Sequence, residues 1–360
     1  MPHILSVGTA VPPYCIPQSE ARAFASRHFS GQYAALERML PVFDHVHVET
    51  RYFAVPLEWF DEPRSFAERN AKYVQAAVDL GEQAIARCVE QAGLAPQEID
   101  HLFFVSSTGI STPSIDAHLI NRMRLRSDIC RTPIWGLGCA GGVAGLARAF
   151  EFALAYPDRH AVIVALELCG LTFQPSDFST SNLIATCLFG EGAAAVLVGP
   201  RGAREACPRI LAHQSVLWPD SLDVMGWDLT EEGLKVVFSQ DIPTIVTGRL
   251  GPVIHDFLAR QGLTSDDISH YITHPGGAKV IDAYQEALRL PPASMRHPRE
   301  VLRRFGNMSS ASVLFVLREE WAHADDVRPG DYGLLSALGP GFSAELLLIR
   351  WEDGAAAGRG

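Results

Sequence analysis

Short, mainly apolar runs alternate with longer amphipathic stretches along this chain. Residues 3–10, 99–105, 161–166 and 193–198 are runs of the first kind and predict strands buried on both faces. Residues 18–40 carry apolar positions at helical spacing, with Arg22, Arg27 and Arg38 on the polar side. Residues 64–92 repeat that spacing and close on Gly93-Leu94, a helix-ending signal. Residues 46–55 read as extended, and 114–124 as a helix. Strands alternating with helices predict an α/β architecture with a covered sheet. The second half opens near residues 200–207. It passes through a turn-rich segment bracketed by residues 225–228 and Gly233, then a helix over 243–261.

Beyond that helix the chain repeats itself. Residues 262–274 have the form of residues 93–105: a helix-end Gly-Leu, an acidic turn, an isoleucine and an apolar strand. Val105 closes one strand and His274 the other. Val105 to Cys139 is 34 residues, and His274 to Asn307 is 33. Cys139 and Asn307 each open a helix rich in small residues, and each half ends on a strand, 193–198 and 344–350. The pattern predicts an internal duplication packed about a pseudo-twofold axis. The expected boundaries are 1–203 for the half with Cys139, 204–353 for the half with His274 and Asn307, and 354–360 for a flexible tail.

Composition narrows the partners. The chain has 360 residues, 48% of them hydrophobic, enough for a large core in two domain-sized units. A net charge of −11 argues against a nucleic-acid or anionic-membrane surface. Seven scattered cysteines without a CxxC pair argue against disulfides and a zinc site, and fit a reducing cytosol. The first residues lack a signal-peptide pattern, and no apolar run reaches the ~18 residues of a membrane span. The expectation is a cytoplasmic protein.

The duplication brings Cys139, His274 and Asn307 to one crevice. Each has a plainer reading by itself: a core cysteine, a strand-end turn residue before Pro275-Gly276-Gly277, and a helix N-cap. A thiol at the first turn of a helix, within Gly138-Cys139-Ala140-Gly141-Gly142, feels the positive end of the helix dipole, which favours thiolate. Together the three can carry acyl transfer through a thioester. Cys139 attacks an acyl thioester as His274 takes or stabilises the loss of its proton. His274 Nε2–H and the Asn307 amide are the right neutral donors for an enolate oxygen made by decarboxylating a malonyl thioester.

These residues resemble the thiolase-fold condensing enzymes, specifically type III polyketide synthases of the chalcone synthase kind. The markers are residues 138–142, Pro175-Ser176-Asp177, residues 188–192, His274-Pro275-Gly276-Gly277, residues 306–310 and Gly339-Pro340-Gly341-Phe342. The ketoacyl-carrier-protein synthase that starts fatty-acid synthesis shares the Cys/His/Asn set but continues its histidine with Gln-Ala-Asn. The resemblance implies a thiolase-like, five-layered αβαβα fold built from two duplicated halves, and a homodimer. It also implies CoA thioesters used directly, with neither carrier protein nor cofactor. Cys139 becomes the nucleophile; His274 and Asn307 activate it and drive malonyl decarboxylation. Phe189 matches a gatekeeper between CoA tunnel and cavity. Val236 stands at the second gate position, without the plant-like phenylalanine. Ser107, Thr108, Cys169, Thr172, Trp227, Ser309 and Gly341 are expected at the substrate cavity, although Cys169 also reads as an inert core thiol. Thr112 falls where the family sends a residue into the partner's cavity. Lys279, Gly276, Gly277 and Arg38 are the CoA candidates, with surface-solvated charge the plainer reading of Arg38.

Residues 225–228 and 238–243 look like those of microbial enzymes that extend fatty acyl-CoA starters to alkylresorcinols or alkylpyrones. A malonyl-primed synthase making tetrahydroxynaphthalene or phloroglucinol is the alternative product class. A catalytically silent thiolase-fold subunit or a non-decarboxylating acyltransferase is the alternative from outside it.

Overall fold

A computed structural model describes residues 1–201, 207–239, 241–323 and 327–352. The expected boundary between 203 and 204 and the expected tail at 354–360 lie outside the described residues. In the first half the chain runs β1 (His3–Ala10), β2 (Tyr14–Pro17), α1 (Gln18–His28), the single-turn helices α2 (Leu36–Met39) and α3 (Val42–His45), then β3 (Thr50–Phe53). It continues through α4 (Phe66–Ala92), β4 (His101–Val105), α5 (Ile115–Arg122), β5 (Cys130–Ile134), α6 (Gly141–Ala155), β6 (Ala161–Leu168), α7 (Thr180–Leu188) and β7 (Glu191–Gly199). The second half runs β8 (Cys207–Leu217), β9 (Met225–Thr230), β10 (Gly233–Phe238), α8 (Ile242–Arg260), β11 (Ile268–Thr273) and α9 (Ala278–Ala287). It ends with α10 (Arg296–Phe305), α11 (Ser312–Ala322), β12 (Tyr332–Gly339) and β13 (Ser343–Glu352).

The duplication is written into the sheet. Its strand order is β11-β12-β13-β8-β1-β7-β6-β4-β5. Read outward from the β1–β8 seam, where His3 pairs with Arg209, the two sides match. On one side β1 and β7 pair antiparallel, β7 and β6 antiparallel, β6 and β4 parallel. On the other, β8 and β13 pair antiparallel, β13 and β12 antiparallel, β12 and β11 parallel. β5 is added at the edge of the first half alone.

Five layers follow from the pleat. Leu102, Phe104, Val162 and Val164 face an outer core under α4 and α5, while Phe103, Val105, Ile163 and Ala165 face inward. Across the molecule Leu334, Leu346 and Leu348 face the core under α8 and α9, while Leu335, Leu347 and Ile349 face inward. The inward residues of both halves meet on α6 and α11, the shared central layer. α4 is long because both ends are capped. Ser65 accepts from Glu68 N–H and the Glu68 carboxylate returns to Ser65 N, a capping box worth about 1 kcal/mol. Gly93, at φ +71°, closes it in the left-handed conformation that glycine adopts without cost.

The structure corrects several expected elements. The single helix over 18–40 is two pieces, α1 and α2, because the chain turns at residues 29–35. The extended stretch 46–55 narrows to β3, and the helix over 114–124 to α5. The turn-rich segment around 225–233 is a β-hairpin, with Trp227 paired to Val236. Among the described residues no helix is long and apolar enough to cross a membrane.

Candidate active site

Cys139 sits in a single 3-10 turn, Gly138–Ala140, which runs straight into α6. Gly138 N donates to the Ser107 hydroxyl at 3.1 Å and fixes that turn to the end of β4. The helix start then approaches its counterpart from the second half. A Cβ on Gly142 would lie 2.2 Å from the Ser310 carbonyl oxygen, so only glycine lets the two turns touch. The contact brings Cys139 Sγ to 3.5 Å from Ser309 Oγ, across the pseudo-twofold axis.

Asn307 stands at the matching position, and its amide orientation is set by its partners. Its Oδ1 accepts from Ser309 N at 2.8 Å, and its Nδ2 donates to the Gly276 carbonyl at 3.1 Å. An amide nitrogen carries two hydrogens, so one remains for the cavity. His274 follows β11, held by its N–H on the Ser336 carbonyl at 2.8 Å. Both ring nitrogens of His274 are buried without a protein partner. Cys139, His274 and Asn307 line one cavity of about 870 Å³.

Burial dominates the electrostatics. It drops the His274 imidazole to about 3, so the ring is neutral at pH 7. It pushes the Cys139 thiol up to about 12, a rise that hydrogen bonds from Ser309 and Asn307 reduce and the Glu167 charge increases. Burial of the Cys139 sulfur therefore opposes the thiolate that a helix start favours. Burial favours the neutral forms of both the Cys139 thiol and the His274 imidazole, which line the same cavity. That pair can pass a proton when an electrophile arrives, and the neutral ring can donate Nε2–H to an oxyanion.

Two regions of the chain match one family from end to end. Residues 1–202 match the chalcone and stilbene synthase N-terminal domain, and residues 210–351 the C-terminal domain. The chain belongs to the chalcone and stilbene synthase family. It is 43% identical to a Bacillus subtilis (strain 168) protein provisionally named chalcone synthase, over 99% of this chain and 100% of that one. It is 40% identical to a 1,3,6,8-tetrahydroxynaphthalene synthase of Streptomyces peucetius subsp. caesius, over 97% of this chain and 93% of the relative. The crystal structure of the Streptomyces coelicolor A3(2) 1,3,6,8-tetrahydroxynaphthalene synthase, a bacterial type III polyketide synthase, superposes with a TM-score of 0.93. That pair shares 32% identity and covers 97% of this chain and 99% of the other. The protein is therefore a type III polyketide synthase with the thiolase fold, an acyl-transferring condensing enzyme. The carrier-protein-dependent initiator of fatty-acid synthesis is set aside.

In this synthase the CoA candidates Lys279, Gly276, Gly277 and Arg38 all lie on the 870 Å³ cavity, with Lys279 and Arg38 exposed. His45 lines the same wall. The gate candidates converge too. Phe189, Cys169 and Val236 form one small apolar cluster, with Trp227 and Phe238 packed on it. The Phe238 ring lies 5.4 Å from the Phe189 ring, so a second phenylalanine reaches the gate candidate, two residues beyond Val236 on the same face of β10. The backbone beside Phe189 is tied to the catalytic asparagine candidate. Gly190 N donates to the Asn307 carbonyl, and Asn307 N to the Leu188 carbonyl, both at 2.9 Å. Arg51 Nη1 donates to the Phe189 carbonyl at 2.9 Å from the other side. Behind the gate lies a pocket of about 50 Å³ whose walls include Cys169, Thr172, Phe189 and Val236, together with Phe53, Phe60 and Phe173.

Five expected cavity residues, Ser107, Thr108, Trp227, Ser309 and Gly341, line neither cavity: Trp227 packs on the Phe189 cluster and Ser309 sits beside Cys139 Sγ. Ser107 and Thr108 are buried around Glu167, whose carboxylate accepts from Ser107 N at 2.9 Å, Thr108 Oγ1 at 2.8 Å and Ser310 Oγ at 2.6 Å. They brace the nucleophile turn and its counterpart; neither lines the cavity. Gly341 lines neither cavity; it turns β12 into β13 at φ +135°, where a Cβ would meet Leu217 at 2.6 Å. Thr112 is exposed on the loop before α5. Sequence reasoning misses Glu167, although one carboxylate closing an apolar strand was the available signal.

Glu167 and Glu191 make stability depend on pH. Burial raises Glu167 to about 7 and Glu191 to about 8, from an ordinary 4.5. Each binds its proton more strongly in the folded chain, so its stabilisation is full below pH 4.5 and is lost as pH rises through 7–8. The urea midpoint is expected to fall between pH 5.5 and pH 8.5, by at least about 1 kcal/mol of unfolding free energy. Glu191→Gln should flatten that slope; an equal slope in both proteins would assign the pH dependence elsewhere.

Proposed function

We propose that this type III polyketide synthase extends a fatty acyl starter with malonyl units and closes the chain to an alkylresorcinol or alkylpyrone. The observation that carries the reading is the aromatic-walled pocket directly behind Phe189, an apolar recess where an alkyl tail would start. At about 50 Å³ it has room for little more than a water-sized group, so a long tail enters by displacing the surrounding phenylalanines.

The steps are those the cavity allows. The CoA arm of the thioester lies along the exposed wall, where Arg38 and Lys279 meet its phosphates. His274 takes the Cys139 proton as sulfur attacks the acyl carbonyl, and returns it to the departing CoA thiolate. Malonyl-CoA then loses carbon dioxide. The resulting enolate oxygen accepts hydrogen bonds from His274 Nε2–H and the free Asn307 N–H. The enolate carbon attacks the Cys139 thioester, and the expelled thiolate is ready for the next round. No carrier protein enters this scheme, and the CoA thioesters are those of the cytosol.

A homodimer completes the proposal. β5 is an open edge of the sheet, and Trp135 just beyond it is 56% exposed. A second copy docked there would place Thr112 near its partner's cavity.

A second reading has its own support: the 40% identical relative is a tetrahydroxynaphthalene synthase, so a malonyl-primed reaction is the competitor. Incubation with labelled malonyl-CoA, with and without a long-chain acyl-CoA, separates the two by mass spectrometry. Alkyl-bearing product in the primed mixture alone is expected; an aromatic product from malonyl-CoA alone would overturn the alkyl reading.

A further inference from the structure

The chamber wall holds a polar group that these steps leave idle. Tyr284 projects from α9 and is fully buried, yet it lines the same cavity as Cys139, His274 and Asn307. Its hydroxyl lies beside that of Ser336 and within electrostatic reach of Cys139. Among the described residues neither hydroxyl has a hydrogen bond of full geometry, and each has only the other close by.

The fold explains how they meet. On β12, Leu335 and Ala337 face the central layer, while Leu334 and Leu338 face the core under α9. Ser336 shares the face of Leu334 and Leu338, so it points toward Tyr284. Leu338 lines the cavity one step further along. Ser336 is also the residue whose carbonyl holds His274 N–H, which fixes the pair to the catalytic strand ends.

A buried hydroxyl without a partner costs roughly 1–3 kcal/mol. One on a reaction-chamber wall, with a second behind it, makes sense when a ligand supplies the acceptor. The chain that grows on Cys139 carries a ketone oxygen at every second carbon, an acceptor with no hydrogen to give. Burial raises the phenol above its ordinary range, so Tyr284 stays a donor at neutral pH.

We propose that Tyr284, backed by Ser336, donates a hydrogen bond to a ketone oxygen of the Cys139-bound chain and so sets how many extensions precede release. The proposal rests on Cys139 carrying the chain. It makes Tyr284 a specificity-determining residue, distinct from the three that drive the chemistry.

Tyr284→Phe removes the hydroxyl and keeps the ring. With an acyl-CoA starter and labelled malonyl-CoA, the ratio of full-length to once-shortened product is expected to fall about fivefold or more. Malonyl-CoA decarboxylation and the rate of Cys139 acylation should stay within about twofold of wild type. Ser336→Ala should shift the ratio the same way, by less. An unchanged ratio in both variants overturns the proposal. So does a parallel fall in decarboxylation, acylation and product, which is what damage to the chamber as a whole would produce. Failure of the underlying reading looks different: the wild-type protein would show no acyl group on Cys139 during turnover.

Discussion

Cys139→Ala is expected to abolish condensation, lowering product formation by on the order of 10⁴-fold or more, while malonyl-CoA decarboxylation continues. The split comes from where the groups stand. The sulfur is the atom that would hold the acyl chain, and without it no thioester exists for an enolate to attack. The two enolate donors are anchored independently of it. Asn307 is held by Ser309 N and the Gly276 carbonyl, and His274 by the Ser336 carbonyl. Alanine also fits the turn, whose backbone is fixed by the Gly138 contact to Ser107. Product measured by mass spectrometry and carbon dioxide release measured in parallel check both halves of the expectation. Condensation at the wild-type rate would remove Cys139 as nucleophile.

Asn307→Ala is expected to fail at the other step. Losing one preorganised donor to a developing oxyanion costs about 2.7–4 kcal/mol, so malonyl-CoA decarboxylation should slow by about 10²–10³-fold. Alanine also frees Ser309 N and the Gly276 carbonyl, which Asn307 satisfies in the native site. Asn307→Asp therefore accompanies it: the carboxylate can still accept from Ser309 N, yet it has no hydrogen for the enolate. Both variants should lose decarboxylation while Cys139 still takes up the starter acyl group, read by intact-protein mass. Decarboxylation at the normal rate in both would end the oxyanion assignment.

The repeat was the most legible feature of the sequence. Nearly equal spacings, 34 residues from Val105 to Cys139 and 33 from His274 to Asn307, placed three distant residues in one crevice, and all three line the same cavity. Apolar strands were legible for the same reason that they are buried: residues facing α4 on one side and α6 on the other leave little room for polar positions. The hairpin at 225–238 was not legible. Its strands are short and half exposed, and β9 carries Asp228 among its apolar residues, so no clean alternation survives. Ser107 and Thr108 were misplaced because a hydroxyl at a strand end suits a cavity wall and a buried carboxylate equally well. Only the position of Glu167 decides between them. The thiol's ionisation was out of reach for a related reason. A motif shows that a helix begins at Cys139, whereas desolvation depends on everything packed around it.

The gate candidate Phe189 and the proposed oxyanion donor Asn307 share one strip of backbone: the main chain at 188–190 is hydrogen-bonded to the main chain of Asn307. Those bonds involve no side chain of residue 189. Exchanging that side chain for a smaller or larger one can therefore remodel which starters pass, while the peptide scaffold that aims the Asn307 amide keeps its register. Substrate range and chemical competence are mutationally separable here, which gives such an enzyme freedom to drift between products without passing through an inactive form.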